Sequence, residues 1–384
     1  MTDETAEEGS DVGAAGETGE GVPSKPPRIS YAASPGLAGW LSSAKVSLAI
    51  SSYQSGKFYL LGASPRGGLS IHERFFRQAM GLAVPRDGTI LLATLYQIVR
   101  FENILRPKER ANGIHDACYV PRVLWTTGAV DTHDVGMLPD GRPIFVATTW
   151  NCLATTAERH SFAEYWRPSF ISDLVAEDRC HLNGLAMDSE GPAYVTACAS
   201  TDSLDGWRDQ RRDGGIVIDV RTHAVVCEGL SMPHSPRLHD GQLYVLDSGS
   251  GRLGRVHLDR SSCDAFEPLA FCPGFARGLA FQGDMAIVGL SKPRNGRFEG
   301  LAMTDALRDR DQAPWCGLQI IELSTGRVRH WFRIEGAVAE LYDVAVVAGR
   351  SCPMSVGLAN DDIVGLVRPE PRAPMQEPNG LTEL

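Results

Sequence analysis

Several things are missing from this 384-residue sequence, and each absence removes a class of function. No apolar run approaches the roughly 18 residues a membrane-spanning helix needs. The first 25 residues hold Glu, Gly, Thr and Ala but no basic stretch followed by an apolar one, so they do not read as a secretory signal. The nine cysteines are an odd number, scattered, without a Cys-x-x-Cys pair, which predicts reduced thiols in a cytoplasmic protein rather than a disulfide framework. Basic charge is in deficit: 37 Lys and Arg against 47 Asp and Glu leave a net charge of −10, which argues against a nucleic-acid or anionic-membrane binder. There is no P-loop, no His-Glu-x-x-His and no EF-hand loop. Gly249 to Gly254 fit Gly-x-Gly-x-x-Gly, but a strand follows where a dinucleotide fold needs a helix, so the segment reads as a hairpin turn.

What the chain has is a repeat. Six times a polar or small residue opens a short apolar strand, followed by a turn and a second strand of Val, Ile, Leu and Ala. The openings are marked by Gly81, Asp134, Gly184, Pro236, Gly278 and Asp343, at intervals from 42 (236 to 278) to 65 residues (278 to 343). That spacing predicts an all-β fold, a six-bladed β-propeller of four-stranded blades. In the third copy the strands are expected at 184–187, 193–197, 215–220 and 224–229. Residues 46–51, 57–61 and 69–75 lack a preceding inner strand, while 341–347 is an inner strand without a blade, so pairing the N- and C-terminal strands closes the ring and removes its free edges. The apolar stretch 354–367 is left over, and predicts either a seventh blade or an edge addition. The domain expectation is an acidic N-terminal tail over 1–28, one propeller over 29–368 and a proline-rich mobile tail over 369–384.

Three histidines fall just before markers of consecutive repeats: His133 one residue before, His181 three before, His234 two before. In a regular strand −1 and −3 share a side, so His133 and His181 agree, and His234 agrees only where Pro233 or Pro236 shifts the register. On adjacent blades the three imidazoles meet at the axis, as a three-histidine site for a divalent transition metal (Zn, Fe or Cu) with positions left for water or substrate. A common cation requires their nitrogens within about 4.5 Å of one another. The alternatives are a hydrogen-bonded polar channel without metal, or a different register. Asp131, Asp134, Glu340 and Asp343 stand at comparable entries to complete the site, and Asp134 and Asp343, which share the marker position, alternatively satisfy backbone donors there.

Long insertions are expected between second and third strands at 149–161, 201–214 and 292–315, on the face from which the inner strands enter the channel. Loops on a rigid scaffold are where binding groups collect. Trp150 and Asn151, leading into His160, Phe162, Tyr165, Trp166 and Arg167, form a ligand wall or a loop packed on itself. Cys152 with His160 or a channel histidine as base is a weaker nucleophile candidate, since it has no acid partner. Asn183 and Ser235 stand at the entries, and Arg237 and Arg277, with Lys292, Arg294 and Arg297 nearby, suit a carboxylate or phosphate. Their alternative is surface pairing with Asp205, Asp209, Asp309 and Asp311.

The segments 52–57, 149–152, 166–168, His-Leu-Asn-Gly-Leu at 181–185 and Met-Pro-His-Ser-Pro-Arg at 232–237 resemble a group of uncharacterised bacterial propeller proteins, some found beside tetratricopeptide repeats. The likeness spans about Ser30 to Val367 and implies the fold without a reaction. More remotely the architecture is similar to gluconolactonase and strictosidine-synthase propellers, but histidines stand where gluconolactonases use Glu, Asn and Asp, so calcium and lactonase activity are not implied. The resulting expectation is a metal-dependent enzyme of hydrolase or lyase type acting on a polar or anionic small molecule or peptide. A redox-metal oxidoreductase, or a non-catalytic propeller binding a peptide, glycan or partner protein, are the alternatives.

Overall fold

The structure is a computed structural model that describes residues 28–293 and 300–369. Nearly all of the two expected tails, and Arg294 and Arg297, lie outside the described residues. Six sheets surround one axis. From the axis outward, blade 1 runs Asp343–Ala348, Val46–Ser52, Lys57–Ala63, Leu69–Phe75, and blade 2 runs Leu82–Ala83, Ile90–Ala93, Gln97–Asn103, Ala117–Thr126. Blade 3 is Thr132–Met137, Pro143–Ala147, Cys152–Thr155, Ala163–Trp166, and blade 4 is Leu182–Met187, Pro192–Ala197, Gly215–Asp219, Val225–Leu230. Blade 5 is Pro233–His239, Gln242–Asp247, Arg252–Val256, Phe266–Phe271, and blade 6 is Phe275–Gln282, Met285–Ser291, Cys316–Glu322, Arg327–Glu335.

The closure is the expected one: Asp343–Ala348 pairs antiparallel with Val46–Ser52, so blade 1 takes its innermost strand from the far end of the chain. The leftover C-terminal stretch is an edge addition and not a seventh blade. Pro353–Ser355 runs parallel to Ala117–Tyr119 on the outside of blade 2, and Ser30–Ala33 pairs with Arg327–Glu335 on the outside of blade 6. Both ends of the propeller are thus tied to the blades flanking the closure. One expected insertion is placed differently: Cys152–Thr155 is itself the third strand of blade 3, so the extra residues there lie between the third and fourth strands. Four apolar or small residues were enough to make a strand inside what reads as a polar loop. Gly249 to Gly254 are the expected hairpin turn, between Gln242–Asp247 and Arg252–Val256.

Each blade is apolar on both faces because each has a neighbour on both sides. In Lys57–Ala63, Tyr59 and Leu61 pack into the junction with blade 6, while Phe58 and Leu60 pack into the junction with blade 2. Six apolar clusters fill the six junctions, which is why the strands read as continuous rather than alternating runs.

At the axis the markers alternate in size: Gly81, Asp134, Gly184, Pro236, Gly278, Asp343. A Cβ on Gly81 would stand 2.8 Å from the Asp134 Cα, one on Gly184 would overlap Pro236, and one on Gly278 would stand 2.7 Å from the Asp343 Cα. Each glycine lets the larger marker of the following blade approach, the small/large alternation that fits strands around a narrow channel. Gly278 also has φ +79, which a side chain disfavours. Gly278→Ala is therefore expected to lower stability by about 2–4 kcal/mol in urea unfolding, more than a φ penalty alone would give.

Candidate metal centre

Four of the six entries, those of blades 3 to 6, carry the same irregularity. The pairing of inner and second strands slips by one residue between Thr132 and Val135, Leu182 and Gly184, His234 and Arg237, and Ala276 and Leu279. Asp131, His181, Met232 and Ser235 have left-handed backbone, with φ between 50 and 55 for Asp131, His181 and Ser235, and φ 47 for Met232. A bulge together with a left-handed residue re-aims the side chains around it. This is how histidines at −1, −3 and −2 reach one place, which simple alternation along a strand does not allow for.

His133, His181 and His234 present ligand atoms that all lie within 4.8 Å of one another, and all three are buried. That span is a few tenths of an ångström above the two-ligand limit. A tetrahedral ion with bonds of about 2.1 Å holds its nitrogens about 3.4 Å apart, so closing on a cation takes an inward ring movement of about 1 Å.

The outer nitrogen of each ring is committed. His133 Nδ1 donates to Asp131 O at 3.1 Å and to Thr148 Oγ1 at 2.8 Å, whose own proton goes to Leu182 O at 2.7 Å. His181 Nδ1 donates to the Asp178 carboxylate at 2.9 Å. His234 Nδ1 donates to Met232 O at 2.8 Å and to Ser248 Oγ at 3.2 Å, and Ser248 donates onward to Ala276 O at 2.6 Å. With acceptors on every Nδ1, the proton sits there and the lone pair is left on Nε2. His234 Nε2 is buried without a partner. Orienting the outer nitrogen and freeing the inner one is how proteins prepare histidine for a metal.

Burial disfavours the charged form of two of the rings. It holds His133 down to about 4, against the opposing pull of Asp131, and His234 well below the usual imidazole range, with the Arg277 charge adding to the effect. Burial alone would raise the Asp178 carboxyl, yet hydrogen bonds from His181 and Trp207 hold it below its usual value.

Two insertions shape the mouth. The segment between the second and third strands of blade 4 delivers Trp207, whose ring stacks on His181 at 4.1 Å and whose Nε1 donates to Asp178 at 3.1 Å. The corresponding segment of blade 6 carries the helix Ala302–Asp309, whose Met303 and Leu307 pack beside Met232 and Phe275.

The other expected site residues divide. Arg277 is at the mouth: its guanidinium carbon lies 4.9 Å from the Tyr342 ring and 5.3 Å from the Phe275 ring. Tyr342 in turn is 5.4 Å from the His133 ring. Arg237 lies one layer down the channel and is held by Asp134 at 2.7 and 3.3 Å, by Asp343 at 3.5 Å, and by Leu185 O and Pro236 O. Asn183 accepts from Thr196 and faces Cys198; Ser235 accepts from the Gly278 N–H. Asn151 accepts from the Cys180 N–H and so braces the residue before His181. Trp150 packs on Phe162 in the junction of blades 2 and 3, and Tyr165 and Trp166 are on the outermost strand of blade 3. Cys152 is fully buried and its thiol is pushed up to about 12 by burial, which leaves it no nucleophilic role. Asp134 and Asp343 accept backbone N–H groups of their own and neighbouring blades.

Below the Asp134–Arg237–Asp343 layer a cavity of about 790 Å³ opens at the opposite end of the channel, lined by Leu82, Val135, Leu185, Leu279 and Val344. The charged layer separates it from the histidines.

Asp178, Thr148, Ser248, Trp207 and Tyr342 were not singled out from the sequence. A signal for two of them exists. Hydroxyl residues recur at the end of the second strand, and Ser51, Thr148 and Ser248 each donate to a carbonyl at the entry of the following blade: Met80, Leu182 and Ala276.

A family model described as "Domain of unknown function (DUF4915)" matches residues 35–356. The chain belongs to the DUF4915 family. No curated protein matches this DUF4915 chain. Among solved structures it is similar to a protein of unknown function from Bacteroides caccae, at 11% identity and TM-score 0.47, covering 78% of this chain and 98% of that one. It is similar to a chain of a nidogen/laminin complex, at 10% identity and TM-score 0.46, covering 79% and 99%. It is also similar to virginiamycin B lyase from Staphylococcus aureus, at 10% identity and TM-score 0.36, covering 80% and 99%. At these values the likenesses carry no functional argument. No helix of the described residues is long and apolar enough to cross a membrane.

Proposed function

We propose that this DUF4915 propeller is a metal-dependent enzyme of hydrolase or lyase type, with His133, His181 and His234 holding one divalent transition metal through Nε2. One observation carries the reading: three buried imidazoles on adjacent blades share the same tautomer, each with Nδ1 tied down and Nε2 left for the axis. Three converging lone pairs repel one another and offer no proton to share, so a cation is the natural complement. Of the metals this donor set suits, Zn, Fe and Cu are the first candidates. A cation there supplies Lewis acidity toward a polar or anionic small molecule or peptide. The chain itself contributes orientation through Asp178, Thr148 and Ser248, a lid in Trp207, and an anchor in Arg277.

Metal analysis of the full chain tests this. After reconstitution with zinc and desalting, about one equivalent per chain is expected, and less than about a tenth in the triple His→Ala variant with an unchanged circular-dichroism spectrum. Substoichiometric metal in the wild type, or equal content in the variant, overturns the reading.

A further inference from the structure

The residue just before each marker forms a ring around the axis: Met80, His133, Asn183, Ser235, Arg277 and Tyr342. Chemistry is distributed unequally around it. Blades 3, 4 and 5 supply the three histidines, and blades 6 and 1, which follow, supply Arg277 and Tyr342. We propose that Arg277 and Tyr342 form a carboxylate-binding site that needs no metal, and that the substrate of the centre is a carboxylate-bearing molecule reaching from this pair to the histidines. The substrate class rests on the metal-centre reading above; the anion site does not.

The case comes from how the two arginines of the channel differ. Arg237 gives its donors to two aspartates and two carbonyls, all within the fold. Arg277 is as deeply placed, 9% exposed, but is held by ring faces, which fix a guanidinium without using its N–H groups. Its ion pair with Glu340 is 3.7 Å long, outside hydrogen-bond distance, and its buried Nε has no partner. The Tyr342 hydroxyl, on a residue 4% exposed, is likewise buried and unpartnered, with its ring stacked on Tyr53 at 5.6 Å. The phenol brings an O–H donor to this position. Leaving buried donors unmatched is costly, so two on facing residues at a channel mouth point to an acceptor shared between them.

The acceptor is a carboxylate rather than a phosphate. One guanidinium and one phenol offer a fork and a single extra hydrogen bond, which matches two oxygens. Among the described residues no lysine lies at these contacts, and the Asp131 carboxylate at the rim works against a second negative charge.

Titration of the full chain, stripped of metal with EDTA, by acetate and separately by inorganic phosphate tests the site. Saturable acetate binding is expected, weakened at least about tenfold in Arg277→Met, by about threefold in Tyr342→Phe, and partly restored in Arg277→Lys. Retained acetate binding in a chain that holds no zinc leaves the anion site standing while the metal reading fails. Absence of saturable acetate binding, equal binding by a folded Arg277→Met variant, or tighter binding of phosphate than of acetate overturns the proposal. Tyr342→Phe keeps the test open where Arg277→Met does not fold.

Discussion

Arg237→Met is expected to lower the stability of the protein by about 3–5 kcal/mol, the cost of leaving a buried ion pair with one partner missing. Two carboxylates face this guanidinium from blades 3 and 1, Asp134 at 2.7 Å and Asp343 at 3.5 Å, and both are nearly inaccessible to water. Burial, with the Asp134 charge adding to it, raises the Asp343 carboxyl to about 7 even against the pull of the arginine. Without the arginine that balance is lost. The sign of the pH dependence follows: an acid whose folded value is raised above its unfolded one favours the folded state less and less as pH rises through the gap. The deficit of Arg237→Met against wild type should therefore widen from pH 4 to pH 8 and shrink in acid. Adding Asp343→Asn to it should recover part of the loss at pH 8, because one of the two unpaired charges is gone while the amide oxygen still accepts one of the two N–H groups, of Leu82 and Val344, that the carboxylate takes. Urea unfolding at pH 5 and 8 checks all three statements. A loss under about 1 kcal/mol at pH 8 would mean that the layer is neutralised by something other than Arg237.

Much of the propeller was written at the level of periodicity. The markers, the pairing of 46–51 with 341–347, and the strands of blade 4 follow from spacing and apolar runs, because a repeat records its architecture several times over. The edge strand at Pro353–Ser355 was ambiguous for a physical reason: three residues paired to the outside of a blade leave the same apolar trace as the start of another blade. The site was legible only in part. That three imidazoles converge follows from their nearness to the markers. How they converge depends on bulges and left-handed residues, and a period-two pattern carries no trace of either. Asp178 stands between Glu177 and Arg179, which pair with each other while Arg179 also reaches Asp202, so nothing in the local composition sets it apart. Only the fold brings Trp207 from an insertion more than twenty residues on to the same carboxylate. The two channel arginines also read alike along the chain, and separate only when their partners are seen: Arg237 serves the closed layer, and Arg277 faces the mouth.

Zinc affinity is expected to fall slowly on acidification, and the rate of fall distinguishes a prepared centre from an accidental cluster. Each histidine must be neutral to bind, so protons compete at every ligand whose imidazole is protonated in the free protein. Three solvent-exposed histidines near 6.5 would lose affinity between pH 6 and pH 5 with a slope approaching about 3 protons per metal. Here burial holds His133 near 4 and His234 well below the usual imidazole range, so neither ring carries a proton to be displaced in that range. The slope should be no more than about 1. The same depression acts on the metal-free protein with a definite sign. Because the unfolded chain takes up protons at these histidines first, stability contributed by keeping them neutral is present at pH 7 and is lost as pH falls from about 6.5 toward 4. The raised Asp343 works in the opposite direction over the same window, so wild type should show a shallow profile, and Asp343→Asn a steeper loss of stability in acid. Competition titrations with a zinc chelator at pH 7, 6 and 5, beside thermal unfolding of the metal-free wild type and Asp343→Asn, measure both. A slope near 3 would show that the imidazoles titrate as exposed groups, and with that the tautomer arrangement that supports the metal centre would be lost.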